Sequence, residues 1–480
     1  MKFEVFCCAL LASWANCSPL LAKATNVQCT SESHRPRYHF SPREKWLNDP
    51  NGMVYYEGIY HLFFQYHPFS SEWGPMHWGH AISTDMIHWK ELDIALYPDE
   101  LGFIFSGSAV VDFKNTTGFQ PSNSDVPPIV AVFTHAGGEN NVIQRQSLAY
   151  SLDKAMTFAK YDGNPVLEVP TEPDFRDPKV HWNEEGQRWI MALAVRNRIE
   201  FYSSTDLKSW VKDSEFGANP QEGAHGGVWE CPDVFPLKVT NSAGEEIELW
   251  ALIVSINPGG PNRGSIAQYF IGNFKKNERD QMVFETFPWK DTQWLDWGPD
   301  NYAGVTFSNQ PNNRFSYIGW MNNWIYANNL PTPDWRGQMT IPRELGLYVL
   351  NEGERQYRLT SNPIPEMVIL RKLNELVENT HSFDLPPQTV VNLMENATFR
   401  TLLLELEITI EIENNPRVSI CAFNEATREE SCFGYNETKW VLDRSKSGNV
   451  GFHGEYAATL VGTAAREVQD QQTTINMVRV

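Results

Sequence analysis

Three acidic residues stand in stiff local frames. Asp49 lies in Trp46-Leu47-Asn48-Asp49-Pro50-Asn51-Gly52, Asp177 in Phe175-Arg176-Asp177-Pro178, and Glu230 in Trp229-Glu230-Cys231-Pro232. Each has a proline one or two residues later and an aromatic, Arg or Asn beside it. Proline fixes its own φ and pushes the preceding residue toward extended geometry, so a carboxylate in such a frame is aimed before any ligand arrives. Arg176, next to Asp177, can hold that carboxylate ionised. Two aimed carboxylates suffice for glycoside hydrolysis, one as nucleophile and one as acid/base. A third can stabilise the positive charge of an oxocarbenium-like transition state. One Asp-Pro dipeptide is an ordinary turn; three such frames together carry the reading.

Acids so far apart in the chain can meet only if separate elements bring them together. From about residue 38 to 347 the sequence is a series of short alternating or apolar runs, punctuated by Gly, Pro, Asn and Asp. Runs at 53–56, 60–66, 77–83, 129–134, 189–195, 248–255 and 315–320 read as strands, and no long helical period competes with them. An internal echo accompanies them. Ser83-Thr84-Asp85 leads to Trp89, Ser204-Thr205-Asp206 leads to Trp210, and a looser copy, Ser151-Leu152-Asp153, leads to Phe158. A repeat with several strands per unit suits propeller blades, and about 310 residues make roughly five. Near Asn362-Pro363-Ile364-Pro365 the texture changes, and residues 401–413 alternate as a strand with one wet face does. The expected organisation is therefore all-β, a five-bladed β-propeller over 25–360, a linker over 361–376, and a β-sandwich over 377–480.

The 480 residues carry 39 Lys and Arg against 59 Asp and Glu, a formal balance of −20. That balance excludes the basic face needed by a nucleic-acid or anionic-membrane binder. The 17 Trp, 17 Tyr and 27 Phe serve β-core packing and sugar stacking alike. Lys2, an apolar stretch at 5–15 and Ala22-Lys23-Ala24 read as a signal peptide over 1–24, so secretion is expected. Cys7, Cys8 and Cys17 leave with it, and Cys29, Cys231, Cys421 and Cys432 are too few for a disulfide framework. Cys421 and Cys432 either close a hairpin or stay open. Glycosylation sequons stand at Asn115, Asn396 and Asn436.

The segments WLNDPNG, Phe105-Ser106-Gly107-Ser108, FRDP and WECPD, in this order, resemble the signature set of glycoside hydrolase family 32. The resemblance runs from about residue 38 to 345. It takes in Phe64-Gln65-Tyr66-His67-Pro68, the stretch from Trp73 to Ala81, Gly319-Trp320-Met321-Asn322-Asn323-Trp324, and Pro342-Arg343-Glu344-Leu345. It implies a five-bladed propeller followed by a β-sandwich, with Asp49 as nucleophile, Glu230 as acid/base and Asp177 as transition-state stabiliser. Asn48, Gln65, Trp73, Phe105, Ser106 and Arg176 match the family's fructose pocket, and Asp296, Tyr302 and Trp320 contribute through a looser match. Family members continue past a segment like Leu442–Gly448 into further sandwich strands. The second domain here is expected to be truncated or rebuilt.

The resemblance implies a secreted retaining β-fructofuranosidase that releases terminal β-D-fructose, first of all from sucrose, with no cofactor and no metal. An exo-fructanase acting on levan or inulin is the alternative. A sugar-binding propeller without activity would lose at least one acid, and none is lost here. An inverting arabinan-type hydrolase would hold its carboxyl groups farther apart. His77 and His80, at i and i+3 on a strand, face opposite sides and are poorly placed for one ion.

Overall fold

In a computed structural model of the chain, the described residues are 3–9, 34–371, 381–382, 404–411, 417–437, 439–459, 461–465 and 472–479. The chain divides into two compact units. The larger spans Phe40–Ile364 with Phe452–Thr459, and the other comprises Met1–His39, Pro365–Gly451 and Leu460–Val480.

The larger unit is five sheets taken in chain order and antiparallel, except that the short strand Trp335–Arg336 returns to pair in parallel with the edge of the first. Blade I opens with Lys45–Tyr56, blade II with Phe103–Val111, blade III with Phe175–Asn183, blade IV with Val228–Thr240 and blade V with Tyr302–Thr306. These five opening strands contact one another as a closed ring, I on II, II on III, III on IV, IV on V and V on I. They are the inner strands of a five-bladed propeller, an architecture that leaves only short outer edges unpaired. Blade V ends with Gln356–Pro363, which runs into the stretch expected as linker. The runs read as strands from the sequence lie within strands, except that the run at 315–320 begins one residue before Ser316–Trp320.

The core lies between blades. Val54, Phe63 and Trp78 of blade I pack with Ile104, Ala109, Ile129, Ala131 and Phe133 of blade II in one buried cluster. The second strand of blade II, Ile129–Gly137, is buried along almost its whole length, because neighbouring blades cover both of its faces. Each large apolar side chain buried in this way contributes about 1.5–3 kcal/mol.

The Ser-x-Asp echo is a structural repeat. In blades I, II and III it links the third strand to the next, and the serine hydroxyl donates to the aspartate: Ser83 to Asp85 at 2.9 Å, Ser151 to Asp153 at 2.7 Å, Ser204 to Asp206 at 3.1 Å. The same carboxylate oxygen then accepts two backbone amides of the turn, Ile87 and His88 on Asp85 and Lys208 and Ser209 on Asp206. The returning indoles close the motif, with Trp89 Nε1 donating to Met86 O and Trp210 Nε1 to Leu207 O, each at 2.9 Å.

Every inner strand carries a β-bulge near its start. The register slips between Leu47 and Pro50, Ile104 and Gly107, Arg176 and Lys179, Glu230 and Asp233, and Tyr302 and Val305. A bulge bends its strand and re-aims the side chains at the break. Asp177, Cys231 and Ala303 hold the same position in blades III, IV and V, and their φ values are 65°, 45° and 55°. Asp177 is therefore not extended, as the proline after it suggests; the bulge overrides the local preference. The amides of these three residues are satisfied alike, Asp177 N on Thr134 Oγ1 at 3.1 Å, Cys231 N on Asp177 Oδ2 at 3.0 Å and Ala303 N on Ser255 Oγ at 3.0 Å.

The smaller unit holds two four-stranded antiparallel sheets. In one, Arg417–Phe423 and Glu430–Asn436 pair with Cys421 opposite Cys432, and the two form a disulfide. In the other, Leu404–Glu411, within the alternating stretch at 401–413, lies between Phe3–Ala9 and Gln472–Arg479. Phe3–Ala9, inside the leader expected at 1–24, is thus a strand here, since a short, mostly apolar run satisfies either role. The remainder of the leader, Cys29 and the Asn396 sequon fall outside the described residues.

Asp206→Ala removes the acceptor for three donors at once and should cost about 1–2 kcal/mol of propeller stability while leaving catalysis intact. Thermal or urea unfolding of the variant checks this, and unchanged stability would show that the turn holds without its carboxylate.

Candidate active site

The bulges converge on the propeller axis. A small cavity there is lined by Pro50 of blade I, Ser106 and Gly107 of blade II, Asp177, Pro178 and Lys179 of blade III, Cys231 and Pro232 of blade IV, and Val305 of blade V. Side chains at matching register positions meet in successive levels along this axis.

At the first level, the residues just before the bulges of blades III, IV and V are Arg176, Glu230 and Tyr302. Arg176 donates to Glu230 Oε1 through Nε at 3.2 Å and through its Nη2 at 3.0 Å. The hydroxyl of Tyr302 donates to Glu230 Oε2. Glu230 is thus held from both neighbouring blades, with each carboxylate oxygen assigned a donor. Burial and the adjacent Glu230 push the Tyr302 phenol well above its ordinary range, so it remains a donor at working pH.

At the second level, within the bulges, Asp49 Oδ2 accepts Ser106 Oγ at 2.7 Å and Asp49 Oδ1 accepts Asn48 Nδ2 at 2.9 Å. Asn48 is itself fixed by Trp46 Nε1, 2.8 Å from its Oδ1. Cys231 Sγ lies 3.7 Å from Asp49 Oδ2 and 3.6 Å from Asp177 Oδ2, so the two aspartates reach one sulfur. Burial and the surrounding acids raise the Cys231 thiol well above its ordinary value, which keeps it a neutral S–H rather than a nucleophile.

At the third level, Lys179 Nζ donates to Thr306 O at 2.6 Å and to Asp233 Oδ2 at 3.2 Å. Asp233 Oδ2 also accepts Thr306 N at 2.6 Å, which ties blades III, IV and V together just past their bulges.

Arg176 is not the close partner of Asp177 that its place in the chain suggests. Its guanidinium is committed to Glu230, to Asp174 Oδ1 at 2.7 Å and to Gln144 Oε1 at 3.3 Å, and it stands 3.9 Å from Asp177 Oδ2. One cation thus faces three acids. Burial, then Glu230, raise Asp49 to about 6, although Ser106, Asn48 and Cys231 pull it down. Burial also raises Asp177 to about 7; Arg176 opposes this, while Glu230 and Asp49 reinforce it. The two aspartates exchange protons near neutrality, where either can be switched by a modest change in surroundings.

The other candidates are placed less directly. Gln65 lies opposite the blade I bulge, and its Nε2 donates to Ile104 O at 3.0 Å. Phe105 sits in the blade II bulge, with Trp73 at 6.2 Å between ring centroids. Asp296 spends its oxygens on its own loop, on the amides of Trp297 and Gly298 and on Asn301, and reaches none of the three acids. Trp320 is buried opposite Tyr302 and packs on Trp46 and Trp324. His77 and His80 do not converge: His77 Nδ1 is 2.9 Å from Pro75 O, whereas His80 Nε2 is 3.1 Å from His61 Nδ1.

Sequence reasoning missed Cys231, Asp174, Gln144 and the Lys179–Asp233–Thr306 tie. Cys231 and Asp174 lie within two residues of named site residues and could have been included on that ground; Gln144 gives no local signal.

With this geometry in hand, the comparisons are direct. Residues 39–363 match the glycosyl hydrolases family 32 N-terminal domain. The chain is 42% identical over 443 residues to a levanase of Bacillus subtilis, covering 90% of this chain and 61% of the relative. It is 35% identical over 462 residues to the extracellular exo-inulinase of Aspergillus niger, covering 90% of this chain and 83% of that one. Among solved structures, an exo-inulinase from Aspergillus awamori superposes with a TM-score of 0.77 at 31% identity, covering 94% of this chain and 89% of that one. The chain belongs to glycoside hydrolase family 32. It is a glycoside hydrolase of the β-fructofuranosidase class.

Because the Ser106 hydroxyl lowers Asp49, Ser106→Ala should raise the Asp49 proton affinity and move the acid limb of kcat/KM upward by about half to one pH unit. A pH–rate profile of the variant checks the direction, and a downward move would contradict the assigned contact.

Proposed function

We propose that Asp49 is the nucleophile, Glu230 the acid/base and Asp177 the transition-state stabiliser of a retaining reaction at a terminal β-D-fructofuranosyl residue. The observation that carries this reading is the contrast between two carboxylates. Glu230 is gripped at both oxygens by Arg176 and Tyr302, whereas Asp49 is held by the short side chains of Ser106 and Asn48 and by the neutral Cys231 thiol. Glu230 protonates the glycosidic oxygen as Asp49 attacks the anomeric carbon C2, the C2–O bond breaks, and the leaving sugar departs as its alcohol. Water then gives a proton to Glu230 and attacks C2, which releases fructose and restores the Asp49 carboxylate. Asp177 moves no proton; its charge strengthens contacts to the ring as positive charge develops.

Asn48, Gln65, Trp73, Phe105, Ser106 and Arg176 line the fructose pocket in this reading, with Tyr302 holding Glu230, and Asp296 and Trp320 supporting the wall. Sucrose is the first substrate. A fructan is the second reading, favoured by the levanase and exo-inulinase relatives. The protein is secreted, with residues 1–24 removed as a leader, a propeller over 25–360, a linker over 361–376 and a sandwich over 377–480. The pairing of Phe3–Ala9 then belongs to the uncleaved chain. Asn436 is exposed and available as a glycosylation site.

Double displacement predicts β-fructofuranose as the first product, read by proton spectra before mutarotation. In the same assays Glu230→Gln should slow sucrose far more than an aryl fructoside with a good leaving group. An α-product overturns Asp49 as nucleophile, and equal loss on both substrates overturns Glu230 as the acid.

A further inference from the structure

The second strand of blade II, Ile129–Gly137, and the third, Ile143–Ser151, turn one face toward blade III. Along most of that face the residues are apolar, and Val130, Val132 and Leu148 join Phe175 and Val180 of blade III in one buried cluster. Beside the blade III bulge the pattern changes. Val132 is paired with Leu148, but the next pair on this face is Thr134 with Gln146. Both side chains are wholly buried. A hydroxyl and an amide in place of two aliphatic groups are costly there unless their polar atoms are paired.

The pairing runs in one line. Asp177 N donates to Thr134 Oγ1 at 3.1 Å, the Thr134 hydroxyl donates to Gln146 Oε1 at 2.8 Å, and Gln146 Nε2 donates to Phe175 O at 2.8 Å. The line begins and ends on the two peptide groups that flank Arg176, so blade II clasps the backbone of that residue. Gln144, on the same face, accepts Arg176 Nη1 at 3.3 Å. Within the clasp Asp177 keeps a φ of 65°, which a residue with a Cβ holds only where its surroundings impose it. Its carboxylate then meets the Cys231 amide of blade IV at 3.0 Å. The matching bulge of blade V is held more simply. Ala303 N donates to Ser255 Oγ, and the residue paired with Ser255 on the third strand is Ala267 rather than a glutamine. The longer relay stands at the bulge that carries an acid.

We propose that Thr134 and Gln146 are positioning residues of the reaction, a clasp that sets Asp177 at the angle from which it meets the sugar ring; this rests on the stabiliser role given to Asp177 above and names what aims it. A charge stabilises a transition state to the extent that it is aimed beforehand, because turning it during the reaction consumes the energy it would supply. Without the clasp, the Asp177 amide and the Phe175 carbonyl lose buried partners. The backbone then relaxes toward the extended geometry that Pro178 favours, and the carboxylate leaves its place. Contacts that matter most in the transition state are weakened, so kcat falls more than KM rises.

The test measures kcat and KM on sucrose and on inulin for Thr134→Val, placed in the parent and in Asp177→Asn. In the parent kcat should fall about ten- to thirtyfold, with KM within about twofold. In Asp177→Asn the same substitution should cost less than about twofold, because its effect passes through the carboxylate already replaced. Thr134→Ser, which keeps the hydroxyl, should restore kcat. Gln146→Met breaks the relay from its other end and should repeat both results, so it decides the matter where Thr134→Val does not fold. An unchanged kcat in the parent overturns the clasp. Equal loss in the two backgrounds also overturns it, as does failure of both variants to fold, since either result marks a purely structural role. Asp177→Asn as active as the parent would instead overturn the stabiliser role itself.

Discussion

One guanidinium, that of Arg176, faces the carboxylates of Glu230, Asp174 and Asp177 in a largely buried site. Arg176 cannot satisfy them all, and its strongest contacts go to Glu230 and Asp174. The charge left over is borne by Asp49 and Asp177, whose proton affinities rise to about 6 and about 7. Bringing charges into such a place is costly, and incomplete pairing leaves the cost uncompensated. The surrounding blades, with their large buried aromatic and aliphatic clusters, offset it.

The propeller supplies the geometry through repetition. Five strands enter the axis with the same register break, so matching positions fall at matching depths. Arg176, Glu230 and Tyr302 thereby become neighbours around the ring, as do Asp49, Ser106, Asp177 and Cys231 one step deeper. Three non-glycine residues sit at positive φ within the breaks, a conformation that costs of order 1 kcal/mol each and is characteristic of functional sites. The deeper tie of Lys179, Asp233 and Thr306 holds blades III, IV and V where that strain would otherwise relax.

The parts legible in the sequence are those whose physics is local. The Ser-x-Asp turns could be read because donor and acceptor lie within a few residues of each other. The three acids could be read because their chemistry and their proline frames are written beside them. The bulge at Asp177 could not be read, since its local signal, a following proline, points to extended backbone. Nor could the pairing of Lys179 with Thr306, 127 residues away, because it exists only after the ring closes. The Arg176–Asp177 juxtaposition misled for the same reason: the guanidinium turns to Glu230, 54 residues on. Phe3–Ala9 illustrates a different limit, since a seven-residue run that is apolar except for Glu4 serves a leader or a strand equally well.

The central claim is that the buried acids are undercompensated, and pH-dependent unfolding of the parent against Asp177→Asn tests it most directly. With its folded value at about 7 and its unfolded value near 4, Asp177 holds a proton in the folded protein that the unfolded chain has released. Folding stability therefore falls as pH rises through that window. The account predicts similar stabilities for the two proteins near pH 4 and a growing advantage for Asp177→Asn toward pH 8, on the order of 4 kcal/mol. A gap that stays constant, or a parent that gains on the variant as pH rises, would contradict it and would make Arg176 an adequate partner for Asp177 after all.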